Sequence, residues 1–206
     1  MKFSSSPTTL RGVTSATLII LLVVLDQCVK YYIKTHFALY ESHEVTSWFR
    51  IFFTENTGMA FGMQFVGTIV LSAFRFVAIT FFLYVLALAV RRRAPFGLIV
   101  CVSLIIAGAM GNLIDNFFYG LLFSESTPWE VADVVPFGQG YGSFLSGKVV
   151  DMFYFPLFVW PDWLPLVGGD VFFGAVFNLA DAAISVGFVA ALLFYYKRLG
   201  RSFLSV

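Results

Sequence analysis

Charge is scarce in this chain of 206 residues: Asp, Glu, Lys and Arg together make up 12% of it and 59% is hydrophobic. Soluble domains carry about twice that share of charge, and the mean hydropathy of +0.86 excludes an ordinary water-exposed fold. Cysteine is nearly absent. Cys28 and Cys101 both lie in apolar runs without metal-ligand spacing, which excludes a disulfide framework and a zinc site. His36 and His43 stand in a polar stretch with no H-E-x-x-H pattern. No metal or other cofactor is expected. Acidic residues are missing from both ends and from "RRRAP": all 12 lie between Asp26 and Asp181 and outside that link.

What is present is apolar length. Runs at about 13–32, 65–90, 96–119 and 171–196 each reach the roughly 20 helical residues that cross a hydrocarbon core about 30 Å thick. The expected fold class is membrane α-helical, with four transmembrane helices in a single integral-membrane domain over 1–206 and outer loops at about 33–64 and 120–170. The first run follows Lys2 and Arg11 but has no A-x-A-like cleavage site, so it reads as a retained anchor. In the first loop, "SWFRIFFTENTGMAFGM" reads as a short strand and turn. In the second, "DMFYFPLFVWPDWLP" carries prolines that break a spanning helix and aromatics that suit a headgroup interface.

The basic residues Lys2, Arg11, Arg91–Arg93, Lys197, Arg198 and Arg201 mark both termini and the 91–93 link as cytoplasmic. Carboxylate chemistry is then expected toward the outer face, which argues against nucleic acid and against a cytoplasmic nucleotide site. "GSFLSGKV" has Val149 where a P-loop needs Ser or Thr. Ser146 and Lys148, two residues apart in a glycine-flanked loop, make weak serine–lysine peptidase geometry.

Polar groups inside apolar runs are costly and call for a role. Asp26 and Lys30 stand at i and i+4, the spacing of an intrahelical ion pair. In "AGAMGNLIDN", Asn112 and Asp115 share a helix face. Gly174, Asn178, Asp181 and Ser185 form a narrow stripe if the last run is one helix. Arg75 needs an acceptor, and Asp151 sits among Val149, Val150, Met152 and Phe153. Taken alone, these features also admit a small proton- or ion-coupled membrane transporter.

Five motifs in order narrow the choice: "LDQCVK" at Leu25–Lys30, "ENTGMAFG" at Glu55–Gly62, "GNLID" at Gly111–Asp115, "VVDMF" at Val149–Phe153 and "FNLAD" at Phe177–Asp181. Together they resemble lipoprotein signal peptidase, the signal peptidase II family. The resemblance implies an intramembrane aspartic endopeptidase of the bacterial inner membrane, acting toward the outer face. Such an enzyme removes the signal peptide of diacylglyceryl-modified prolipoproteins just before the lipidated cysteine. It implies four helices with a small extracytoplasmic β platform and a surface helix, membrane lipid and prolipoprotein as partners, and cyclic peptide antibiotics as inhibitors. The catalytic pair maps to Asp151 and Asp181. Asp26, Lys30, Asn56, Gly58, Asn112, Asp115 and Asn178 map to supporting or substrate-contacting positions. Members commonly have arginine after "GNLID", where this chain has Asn116, and the stretch from Tyr119 to Gly147 is longer than usual.

Overall fold

A computed structural model describes residues 7–56 and 68–204. Four helices are long and apolar enough to cross a membrane: α1 (Pro7–His36), α2 (Thr68–Arg91), α3 (Phe96–Ile114) and α5 (Leu179–Leu204). Helix α3 runs on through a π-helical turn at Asp115–Tyr119 into the short α4 (Gly120–Leu122). The chain divides into two compact units. One comprises α1 as far as Gln27, α2 from Ala73, α3 as far as Leu113, and α5. The other is formed by Cys28–Ser72 and Ile114–Asn178.

In the helical unit α3 supplies the core. Ile99, Val102, Ile106 and Ala107 are buried with Ile19 of α1, Leu86 of α2 and Ala191 of α5. Small residues allow this closeness: a Cβ at Gly108 would strike the Ala180 carbonyl, and one at Gly187 the Cys101 carbonyl. The outward faces carry Leu21, Phe74, Val77, Tyr84, Leu193 and Phe194, all exposed. That apolar exterior suits hydrocarbon and would aggregate in water. The α2–α3 link turns tightly: Arg93 takes φ 52°, its N–H bonds Val90 O at 3.2 Å and that of Ala94 bonds Ala89 O at 2.9 Å. This is a Schellman ending with arginine in the left-handed position. Arg11 Nη1 donates to Ala94 O at 2.8 Å, tying α1 to the link.

The second unit is built on an antiparallel sheet in the order β1 (Ser42–Thr46), β2 (Phe49–Asn56), β3 (Val149–Tyr154) and β6 (Val176–Phe177), beside a hairpin of β4 (Phe158–Val159) and β5 (Val171–Phe172). Aromatic and β-branched residues favour these strands, and Phe53, Val150 and Met152 form the core with Ile33, Tyr119 and Phe123. Thr54 pairs with Asp151 and Asn56 with Val149. The 120–148 stretch is laced to its surroundings: Leu39 N–H bonds Thr127 O at 2.9 Å and Gly142 N–H bonds Gly120 O at 2.8 Å.

One boundary differs from the sequence reading. The last apolar run is helical only from Leu179, and 171–178 contains β5 and β6. "VFFGAVF" is aromatic and β-branched around a glycine, a composition that favours extended chain, and hydropathy alone cannot tell the two apart. Gly174 and Asn178 therefore precede the helix, and of the four-residue stripe only Asp181 and Ser185 lie on α5.

Candidate active site

In the helical unit the polar groups gather at the start of α5. Asp181 stands in its first turn, and Asn112 Nδ2, near the end of α3, donates to Asp181 Oδ1 at 2.7 Å. Asp26 of α1 accepts the Ala180 N–H at Oδ1, 3.0 Å away. A helix start has unsatisfied N–H groups, and Asp26 supplies an acceptor for one of them. Gln27 Nε2 donates to Asp26 Oδ2 at 3.3 Å and to Gly111 O at 3.1 Å. Gly111 leaves room for this, since a Cβ there would overlap the Asp26 carboxylate.

In the second unit Asp151 is the buried third residue of β3. The pairing of Phe153 with Phe177 lays β6 along β3, and the next residue, Asn178, donates its Nδ2 to Asp151 Oδ1 at 2.6 Å. Lys30 Nζ lies 2.8 Å from Asp115 Oδ2, both side chains fully buried, and the Val150 N–H reaches the same oxygen at 3.3 Å. Lys30 thus forms an ion pair with Asp115, and Asp26 accepts an N–H at the start of α5. Asn116 is fully buried and exchanges two bonds with Gly147, its Nδ2 to Gly147 O at 2.7 Å and the Gly147 N–H to Asn116 O at 3.0 Å. Asn56 ends β2 opposite Val149. Gly58 lies outside the described residues.

A buried ionic cluster went unread in the sequence. Lys34 is fully buried, forms an ion pair with Glu55 of β2 and donates to Ser126 Oγ at 2.7 Å. Lys148 Nζ lies 3.3 Å from Glu55 Oε2 and 3.2 Å from Glu125 Oε1. The Tyr141 ring lies against both ammonium groups, 4.8 Å from Lys34 Nζ and 5.0 Å from Lys148 Nζ, and its Oη accepts the Lys148 backbone N–H at 2.7 Å. Burial, more than any other effect, pushes the Tyr141 phenol well above its ordinary pKa. For Lys148 partial burial works to lower the pKa, but attraction to Glu55 and its bonds to Glu125 and Glu55 outweigh it and hold the ammonium above its usual range. The signal was there: Asp26, Lys30 and Lys34 repeat every four residues on one face of α1. The Ser146 hydroxyl caps its own turn, donating to Ser143 O at 2.7 Å, and Lys148 is committed to carboxylates, so the two form no nucleophile–base couple.

Residues 18–197 match the family model described as Signal peptidase (SPase) II. The chain belongs to the signal peptidase II family. It is 48% identical over 190 residues to a lipoprotein signal peptidase of Porphyromonas gingivalis, covering 90% of this chain and 84% of that one. It is 35% identical over 189 residues to one from Amoebophilus asiaticus, covering 87% and 75%. A solved bacterial membrane enzyme shares the fold with a TM-score of 0.58 over 91% of this chain and 90% of its own, at 24% identity. As a signal peptidase II, the protein is a membrane-embedded aspartic peptidase of lipoprotein precursors, and the transporter alternative falls away. Asn116, the residue after "GNLID", closes the 116–147 contact with its side-chain amide.

Proposed function

We propose that Asp151 and Asp181 are the catalytic pair, and that they cleave lipid-modified prolipoproteins before the diacylglyceryl cysteine on the outer side of the bacterial cytoplasmic membrane. The observation that carries this reading is the matched treatment of the two aspartates of "VVDMF" and "FNLAD": each is held by an asparagine amide from a neighbouring motif, Asn178 for Asp151 and Asn112 for Asp181. In the reaction the two carboxyls share one proton, because two anions in a poorly hydrated site are mutually unfavourable. The ionised carboxylate takes a proton from water as its oxygen adds to the scissile carbonyl, while the protonated carboxyl gives its proton to the carbonyl oxygen. Transfer of a proton to the peptide nitrogen then releases the amine as the C–N bond breaks.

The remaining residues support that chemistry. Asn112 and Asn178 orient the carboxylates, Asp26 holds the start of α5, and Asp115, paired with Lys30, anchors β3 through the Val150 N–H. Asn56 and Gly58 are assigned to substrate. The termini and Arg91–Arg93 are assigned to the cytoplasm on the positive-inside rule, the diacylglyceryl chains enter from the bilayer along the apolar helix flanks, and cyclic peptide antibiotics compete for the same site. Incubating the purified protein with a lipid-modified precursor and with its unmodified counterpart tests the reading. Cleavage of the modified form alone is expected; cleavage of neither contradicts it.

A further inference from the structure

The helical unit contains a second feature, distinct from the cluster at the start of α5. Between the arginine-bearing ends of α1 and α2 lies a cavity of about 390 Å³, lined by Gly12, Ser15 and Ile19 on one helix and Leu83, Leu86 and Arg91 on the other. Its walls are apolar apart from Arg91 at the mouth and Ser15 deeper in. Ser15 is only 4% exposed, and among the described residues its Oγ has no hydrogen-bond partner. A hydroxyl buried without a partner is unfavourable, so its position in a cleft wall calls for a ligand that supplies an acceptor.

We infer that this cleft binds one anionic glycerophospholipid. Arg91 ends α2, and Arg92 and Arg93 follow it; the helical unit has no acidic side chain other than Asp26 and Asp181, so the mouth of the cleft carries one sign of charge. The depths match the ligand. Gly12 is level with Val90, whose Cγ1 would lie 3.9 Å from a Cβ at that glycine. Ser15, three residues deeper, sits about 4.5 Å below that level, and Leu83 about 12 Å below Arg91, at about 1.5 Å per helical residue. A phosphate at Arg91 therefore brings the glycerol ester carbonyls to the Ser15 hydroxyl and an acyl chain onto Ile19 and Leu83. A basic signal-peptide head or a second copy of this end would bring arginine or lysine against arginine, and a zwitterionic lipid offers no net charge to the guanidinium. The site is independent of the catalytic pair.

The test is native mass spectrometry of the purified full chain after reconstitution with phosphatidylglycerol or with phosphatidylcholine of the same acyl chains. One retained phosphatidylglycerol per chain is expected, in clear preference to phosphatidylcholine. Arg91→Gln lowers that preference by about fivefold, the weight of one interfacial arginine. Gly12→Leu fills the cleft with a better helix former and abolishes retention. Ser15→Ala weakens retention while leaving the melting temperature of the lipid-free protein at or above that of the parent, because the lost hydroxyl had no protein partner. Equal retention of the two lipids by the unaltered chain overturns the inference, as does undiminished retention by both Ser15→Ala and Arg91→Gln, a comparison that stands even where Gly12→Leu is not recovered folded.

Discussion

Lys34 shows how much a single buried charge demands. It lies fully buried between Glu55, Ser126 and the Tyr141 ring, so Lys34→Met leaves the buried Glu55 carboxylate with the Lys148 ammonium and the Ser126 hydroxyl as its remaining partners. The expected loss is about 3 kcal/mol, the lower end for breaking a buried pair, read as a fall in the denaturation midpoint. Glu55→Gln on top of Lys34→Met should cost less than the sum of the two single changes, since the second removes the charge that the first stranded. Lys148 gives the same cluster a pH signature. Its folded pKa is raised, so its contribution to stability is complete below the unfolded value of about 10.4 and is lost as the pH rises through the higher folded value. Melting temperatures between about pH 9 and 12 should fall less steeply for Lys148→Gln than for the parent; parallel curves would remove Lys148 from the cluster's energetics.

At the scale of elements, the glycines of α3 separate packing from propensity. Gly108 approaches the Ala180 carbonyl and Ile184 so closely that a methyl group has no room, so Gly108→Ala should destabilise by about 1–3 kcal/mol as overpacking outweighs the gain in helix propensity. Gly12→Ala, whose Cβ would make an ordinary van der Waals contact with Val90 Cγ1 at 3.9 Å, should be neutral or stabilise by up to about 1 kcal/mol. Melting both variants against the parent checks the contrast, and equal effects would contradict it. Elements differed in how plainly the sequence announced them. The first three spans are long apolar runs broken by polar residues or by "RRRAP", and they are helices as expected. The start of α5 was hidden because "VFFGAVF" is as apolar as the helix it precedes. Strands β3 and β6 could be paired only by the fold, and that pairing is what brings Asn178 to Asp151.

For the whole molecule, charge distribution gives an orientation that labelling can check. In a chain with the exposed Cys28 replaced by serine, cysteines at the exposed positions Arg92 and Trp129 should react with an impermeant thiol reagent from opposite faces of the membrane; reaction from one face contradicts the orientation. The same scale shows why residue identities were more legible than their partners. Motif order marked Asp26, Lys30, Asn112, Asp115, Asp151, Asn178 and Asp181, because few polar residues interrupt the apolar runs. Which carboxylate meets which donor also depends on helix starts and sheet register: Lys30 meets Asp115, the first turn of α5 meets Asp26, and Asn116 meets Gly147. The long 119–147 stretch gave no signal of the cluster it shares with Lys34. The central claim, that Asp151 and Asp181 act as one catalytic unit, is met most directly by single-turnover cleavage of a lipid-modified precursor by Asp151→Asn, Asp181→Asn and the double variant. Each change keeps size and hydrogen bonding while removing acid–base function. Each single variant should be folded and slower by at least about a thousandfold, and the double variant little worse than either, as for groups acting together; a near-normal rate from either single variant would contradict the claim and make Asp115 the next residue to test.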